Sequence, residues 1–240
     1  MLTLFHFPFC PHSRFARLAL AELGLPVRLI EEPAWQRREE FLLLNPAGTL
    51  PVLLAEGFPP VPGASIIADF LNETLCTDGN DQGLMPAGSY GRAEVRRLMS
   101  WFNDKFFAEV SGPLSSERLF KHHTHPGSPP DSDVIRDARQ AIPYHFSYLE
   151  YVLRARKWVA GDALTFADLA AAAHVSIVDY LGHAPWTQNH AAEAWYTRLK
   201  LRPSFGSLLT EKVSGIRRPP TTQLRFQADD LAAACFGYAG

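Results

Sequence analysis

The chain opens on a short run of strand formers, Leu2 to Phe7, halted by Pro8, and a helical period, Arg14 to Leu23, starts only after Phe9-Cys10-Pro11-His12-Ser13. A strand that must hand over to a helix within so few residues commits this end of the molecule to an α/β arrangement. The helix stops at Gly24, Val27 to Ile30 supplies a second strand, and the charged segment Gln36 to Leu44 again has helical spacing. Asn45-Pro46-Ala47-Gly48 reads as a turn, Leu50 to Leu54 as a short strand interrupted by Pro51, and Gly57 to Val61 as a Pro-rich connection with room for a fourth strand. Ile66 to Leu71 reads as a third helix, which closes a small α/β domain over residues 1–75.

Residues 76–90 carry Gly, Asp, Asn, Pro and Ser with few apolar side chains and read as a linker. Beyond them the strand signal disappears. Arg92 to Val110 and Val134 to Leu153 have helical periodicity, with Leu98, Trp101, Phe102 and Phe106 forming an apolar stripe. Thr165 and Asp168 have capping-box spacing ahead of an Ala-rich run suited to a buried central helix, and Trp195 to Leu201 and Pro203 onward give two more helices. The expected second domain, residues 91–212, is therefore all-α, followed by a tail over 213–240 that docks conditionally or stays mobile.

Composition narrows the function. Lys+Arg number 23 against 25 Asp+Glu, a formal charge of −2, which argues against a nucleic-acid binder. No run approaches the roughly 18 apolar residues of a membrane span, and Met1 to Phe9 lacks a secretory signal, so the expected location is the cytoplasm. Cys10, Cys76 and Cys235 are widely spaced and odd in number, as suits free thiols in a reducing compartment.

Cys10 stands between a strand and a helix start, near unpaired amides and the positive end of a helix dipole, where a thiolate is favoured. The motif is a Cys-x-x-Cys with Ser13 in place of the second cysteine, able to form a mixed disulfide but not to resolve it internally. A chance cysteine in a helix-start loop is the competing account. Pro51, after a turn and at the start of a strand, fits either a cis Leu50-Pro51 bond or an edge-strand proline. His122, His123 and His125 cluster, but Pro126, Gly127, Pro129 and Pro130 mark a flexible loop without Cys or carboxylate at ligand spacing, so no metal is expected. His174 reads as a core histidine with a hydrogen-bond partner, and Arg37-Arg38 and Arg96-Arg97 read as solvated helix faces or a partner surface.

Cys10-Pro11-His12-Ser13, then Asn45-Pro46-Ala47-Gly48 leading to Leu50-Pro51-Val52-Leu53, then a helical domain with the Thr165 to Asp168 box, resembles the cytosolic glutathione S-transferase superfamily over roughly residues 2–210. The resemblance implies a thioredoxin-like N-terminal domain, an all-helical C-terminal domain and a homodimer. It places Cys10, with Ser13, at the catalytic position of omega-like and dehydroascorbate-reductase-like members, and Leu50, Pro51, Val52, Ala64 and Ser65 along glutathione. One departure stands out. Where the family carries Glu-Ser-x-Ala-Ile-x-x-Tyr-Leu, this chain reads Gly63-Ala64-Ser65-Ile66-Ile67-Ala68-Asp69-Phe70-Leu71, without the carboxylate and hydroxyl that hold the γ-glutamyl end unless Ser65 substitutes. A missing hydrogen bond to a charged ligand group costs about 1.5–3 kcal/mol, so glutathione, the implied cosubstrate, is expected to bind roughly 10- to 100-fold more weakly for each bond that the chain cannot make.

A narrower resemblance rests on Trp35 to Leu42, Arg92 to Leu98 with Trp101-Phe102, Ala160 to His174, Asp179 to Gly182 with Pro185-Trp186, and Arg202 to Phe205. These stretches are similar to the FzlA family of alphaproteobacterial division proteins, which implies a homodimer binding the tubulin-like GTPase FtsZ, with Trp35, Arg37, Arg38, Arg96 and Arg97 contributing to the partner surface. The tail after Arg217 departs from that family's short acidic ending. Two functions follow: a non-catalytic or weakly catalytic scaffold, or a glutathione-dependent thiol transferase using Cys10.

Overall fold

The computed structural model describes residues 1–74 and 83–213. Cys76, Cys235, the first part of the expected linker (76–82) and nearly all of the expected tail lie outside the described residues.

The first domain contains β1 (Leu2–His6), α1 (Pro11–Glu22), β2 (Val27–Glu31), α2 (Glu39–Leu44), β3 (Val52–Ala55), β4 (Val61–Pro62) and α3 (Ala64–Thr74). The sheet order is β2-β1-β3-β4, with β1 parallel to β2 and antiparallel to β3, and β3 antiparallel to β4. A parallel pair needs a crossover, which α1 supplies. Leu4, wholly buried, registers with Leu29 on one side and with Leu53 on the other. The Leu50-Pro51 bond is cis, and the chain then enters β3. This is a thioredoxin-like domain with a four-stranded sheet.

The second domain is all-helical: α4 (Ser89–Ser100), a wide π-helical stretch (Trp101–Ser111), α5 (Gly112–Ser115), a second π-helical stretch (Ser116–Phe120), α6 (Lys121–Thr124), α7 (Ser132–Arg154), α8 (Phe166–Tyr180), α9 (His190–Lys200) and α10 (Gly206–Thr210). All fifteen residues of α8 are buried, as a helix apolar on every side must be. Its alanines let α1 approach closely, and α1 offers Ala16 and Ala19 in return. Asp168 at the head of α8 accepts hydrogen bonds from the amides of Thr165 (2.9 Å) and Val159 (2.8 Å), the Thr165 hydroxyl (3.0 Å) and the Trp195 indole (2.9 Å). One core runs through both domains, from Leu4, Phe15 and Ile67 to Leu98, Phe102 and Leu169.

Three local expectations need correction. The helix expected from Gln36 starts at Glu39, because Ala34–Gln36 forms a 3-10 turn and Arg37 takes a left-handed backbone (φ 49°). The regular helix expected over Arg92 to Val110 widens at Trp101. His122 and His123 belong to the short helix α6 rather than to a loop.

Charge fastens the end of the described chain to its first helix. Arg14, 1% exposed, donates to Ser176 of α8 (2.7 Å) and to Glu211 (2.8 Å), and Arg17 pairs with the same carboxylate. The Arg14 guanidinium also lies over the Phe9 ring at 4.2 Å. No helix among the described residues is long and apolar enough to cross a membrane.

Candidate functional site

Cys10 is the N-cap of α1, and Pro11 follows it. The thiol is free, partly exposed, and faces a cleft of about 520 Å³ between the two domains. His12, the second residue of α1, lines the same cleft. Burial opposes ionisation of Cys10, but the hydrogen bond and charge of His12, with hydrogen bonds from the Ser13 hydroxyl and amide, outweigh it and bring the thiol below its ordinary pKa. Burial likewise opposes a charged His12, yet its bond to Cys10, the charge of that sulfur, the Asn103 carbonyl and the charge of Asp104 carry it above its ordinary value. Both shifts run in the direction of a thiolate–imidazolium pair. Ser13, fully buried, also accepts the Phe7 amide at 3.3 Å and so braces the loop that carries the thiol.

The other wall comes from the wide helical stretch. His12 donates from Nε2 to the Asn103 carbonyl at 2.9 Å, which leaves Nδ1 for Cys10. The Asn103 amide donates to the Ser65 hydroxyl at 2.9 Å and its oxygen accepts from His174 Nε2 at 3.1 Å, while Ser111 donates to His174 Nδ1 at 2.7 Å. Burial and then the charge of His12 hold His174 well below its ordinary pKa, hence neutral. His174 is thus the partnered core histidine expected from its place in the Ala-rich helix.

The expected cosubstrate residues meet here. Leu50, Ala64 and Ser65 line the cleft, while Pro51 and Val52 are buried behind it. Gly63 takes a left-handed backbone (φ 95°) and donates its amide to the Pro51 carbonyl at 2.9 Å. Ser65 accepts from Asn103 and keeps its own hydroxyl proton for a ligand. With Ser65 beside the first amides of α3, the cleft offers an anion some donors. None of the lining residues is Lys or Arg, and Asp104 is the carboxylate among them.

The expected partner residues divide. Trp35 sits on the cleft wall, edge-on to Phe7 (4.7 Å) and stacked on His123 of α6 (5.5 Å, interplanar angle 15°). Arg37 folds over the turn at Gly48, where a Cβ would lie 3.1 Å from its Nη1. Arg38 pairs with the fully buried Glu32. Arg96 bonds Asp69 of α3 at 2.8 Å, and Arg97 bonds Glu94 and the Tyr148 hydroxyl, each at 2.8 Å. Three of the four arginines are thus held by intramolecular partners through their guanidinium groups. Sequence reasoning missed His12 as a partner for Cys10, and missed Asn103, Phe107 and Phe120 as cleft residues. For His12 the signal was its place two residues after the thiol; for the others no local pattern exists.

Comparison with known proteins agrees with this architecture. Residues 4–75 match the glutathione S-transferase N-terminal domain, and residues 92–203 match the glutathione S-transferase C-terminal domain. The chain is 40% identical over 217 residues to FtsZ-localized protein A of Caulobacter vibrioides, covering 89% of this chain and 93% of that protein. The crystal structure of a glutathione S-transferase from Sinorhizobium meliloti 1021 superposes with a TM-score of 0.90 at 44% identity, covering 94% of this chain and 100% of that one. FzlA from C. crescentus superposes with a TM-score of 0.85 at 37% identity, covering 94% and 99%.

Proposed function

The chain belongs to the glutathione S-transferase family, and from that premise we propose that it is a cytoplasmic, homodimeric scaffold for the division GTPase FtsZ, with little or no transferase turnover. The observation that carries this reading is its 40% identity to FtsZ-localized protein A along 93% of that protein's length. The cleft supports it from the other side. Gly63 and Ala64 stand where the family pattern has a carboxylate and a hydroxyl, and no lining side chain carries the permanent positive charge that would suit a ligand with two carboxylates. Trp35 and Arg37, two residues apart between β2 and α2, are the proposed partner contacts, with Arg38, Arg96 and Arg97 contributing through the shape they hold. The test is co-sedimentation with FtsZ filaments assembled on GTP. Saturable transfer of the protein to the pellet is expected; a protein left in the supernatant while FtsZ pellets would sink the scaffold.

A second reading, thiol exchange at Cys10 with glutathione as cosubstrate, is favoured by one observation: the thiol of Cys10 is both accessible from the cleft and shifted toward its ionised form by His12 and Ser13. Calorimetric titration with reduced glutathione, repeated on Cys10→Ser, tests it. Saturable binding at millimolar ligand is expected under this reading, and no heat in either protein would reject it.

A further inference from the structure

We propose that His12 is the acid–base partner of Cys10 and that Asn103 is the residue that positions it, so that a thiol of the α/β domain answers to a side chain of the helical domain. The proposal rests on the thiol-exchange reading and names its proton carrier.

Geometry supplies the argument. His12 stands two residues after Cys10 at the start of α1, and both side chains line one cleft, with the charge of each acting on the other. The far nitrogen of His12 is committed to the Asn103 carbonyl, so the tautomer and the ring orientation are fixed together. That carbonyl is itself held, because both ends of the Asn103 side chain are engaged, by Ser65 of α3 and by His174 of α8. Asn103 is 4% exposed and His174 is not exposed at all, so water does not compete for these bonds. Phe107 packs on the imidazole at 4.4 Å and His174 meets it edge-on at 5.2 Å. A ring that served only to fill space would not need its Nε2 proton placed on a main-chain oxygen. A base oriented by a third group is the arrangement that activates a nucleophile.

The step balances without further reagents. The Cys10 thiolate attacks one sulfur of a low-molecular-weight disulfide, a new S–S bond forms, and the old S–S bond breaks. The departing thiolate takes the proton carried by the His12 imidazolium, leaving neutral imidazole and a mixed disulfide on Cys10. Ser13 occupies the place of an internal resolving thiol, so the mixed disulfide persists until a second thiol arrives.

The experiment follows alkylation of Cys10 by iodoacetamide across the pH range, read by mass mapping of the peptide that carries Cys10, in wild type, His12→Gln and Asn103→Ala, with glutathione's own thiol run alongside. Wild type is expected to react at about pH 6 faster than glutathione does. His12→Gln is expected to lose roughly tenfold or more of that rate at about pH 6 and to converge with wild type near pH 9, since below its pKa a thiol loses about tenfold in thiolate for each unit that pKa rises. Asn103→Ala should move the profile the same way by a smaller amount; an unmoved profile removes it from the positioning role. Superposable profiles for His12→Gln and wild type overturn the proposal. Ultraviolet titration of the thiolate, taken as the difference between wild type and Cys10→Ser, gives a check that leaves His12 and Asn103 unchanged, and a difference curve matching glutathione's also overturns it. A wild type that keeps the His12-dependent profile yet forms no mixed disulfide with 2-hydroxyethyl disulfide supports the pairing and rejects only the exchange reading.

Discussion

Glu32 and Arg38 form a two-point ion pair in which the carboxylate is fully buried and the guanidinium is 44% exposed. The pair ties the end of β2 to the start of α2 and closes the loop that carries Trp35 and Arg37. Arg38→Ala would leave a carboxylate buried without its counter-charge, whereas Arg38→Lys keeps the charge and loses the fork. Thermal denaturation should rank wild type above Arg38→Lys and Arg38→Lys above Arg38→Ala. Under the proposed scaffold role, FtsZ co-sedimentation should fall in that order too, because Arg38 would act by holding the loop rather than by touching the partner.

Stability should depend on pH through His6. Burial, then the charge of Arg17, with partial opposition from Glu211, lowers its pKa from 6.5 to about 4, and its Nδ1 has no hydrogen-bond partner. The unfolded chain therefore binds the extra proton between those values, and stability falls as pH drops from about 7 to about 4, by roughly 3 kcal/mol. Urea denaturation across that window should show the loss, and His6→Phe should flatten it. A further acid loss belongs to Glu94, held at about 2 by the Arg97 hydrogen bond, against burial, with Arg156 adding to it. That carboxylate is depressed, so its contribution is present above about pH 5 and disappears as pH approaches 2.

The two positions that depart from the family pattern are not equally reversible. Ala64 is in helical backbone, and under the thiol-exchange reading Ala64→Ser should strengthen glutathione binding roughly tenfold by one hydrogen bond to a charged group. Gly63 has φ 95°, and although a Cβ there would meet Ile66 at an acceptable 3.5 Å, the backbone itself is strained for any other residue. Gly63→Glu should cost about 1–3 kcal/mol of stability. Calorimetry on the first variant and urea denaturation on the second separate the two effects.

Gly112 closes the wide helical stretch. A Cβ at this position would fall 2.6 Å from the Phe107 carbonyl and 3.2 Å from its ring. Gly112→Ala should cost about 1–3 kcal/mol by urea denaturation. Because Phe107 packs on His12, the same variant should change the rate of Cys10 alkylation, which a distant packing defect would not do.

The sequence exposes the α/β-then-α order because each short strand is a contiguous apolar run and each helix carries its own period. The Cys10 loop and the proline at 51 were legible for the same reason: turn chemistry is local. Asn103 was not legible. It meets His12 across 91 residues, and its carbonyl faces that ring from a helix wider than the 3.6-residue period assumed by pattern reading. The apolar stripe through Leu98, Phe102 and Phe106 fits either helix type, so the pattern cannot distinguish them. His122 and His123 misled for a related reason. Pro and Gly nearby signal a loop, but stacking of His123 on Trp35 supplies a tertiary contact that the local sequence does not encode.

Glu211 gives the helical domain a boundary that apolar packing alone would not set. Three residues earlier Leu208 already closes the core, and a chain clipped after Thr210 would keep the apolar packing of α10. It would nevertheless strip the carboxylate from Arg14 and Arg17 and leave a guanidinium sealed between Phe9 and Ser176. A cut in this short interval would thus act at a distance, loosening from about two hundred residues further along the chain the helix whose N-cap is Cys10.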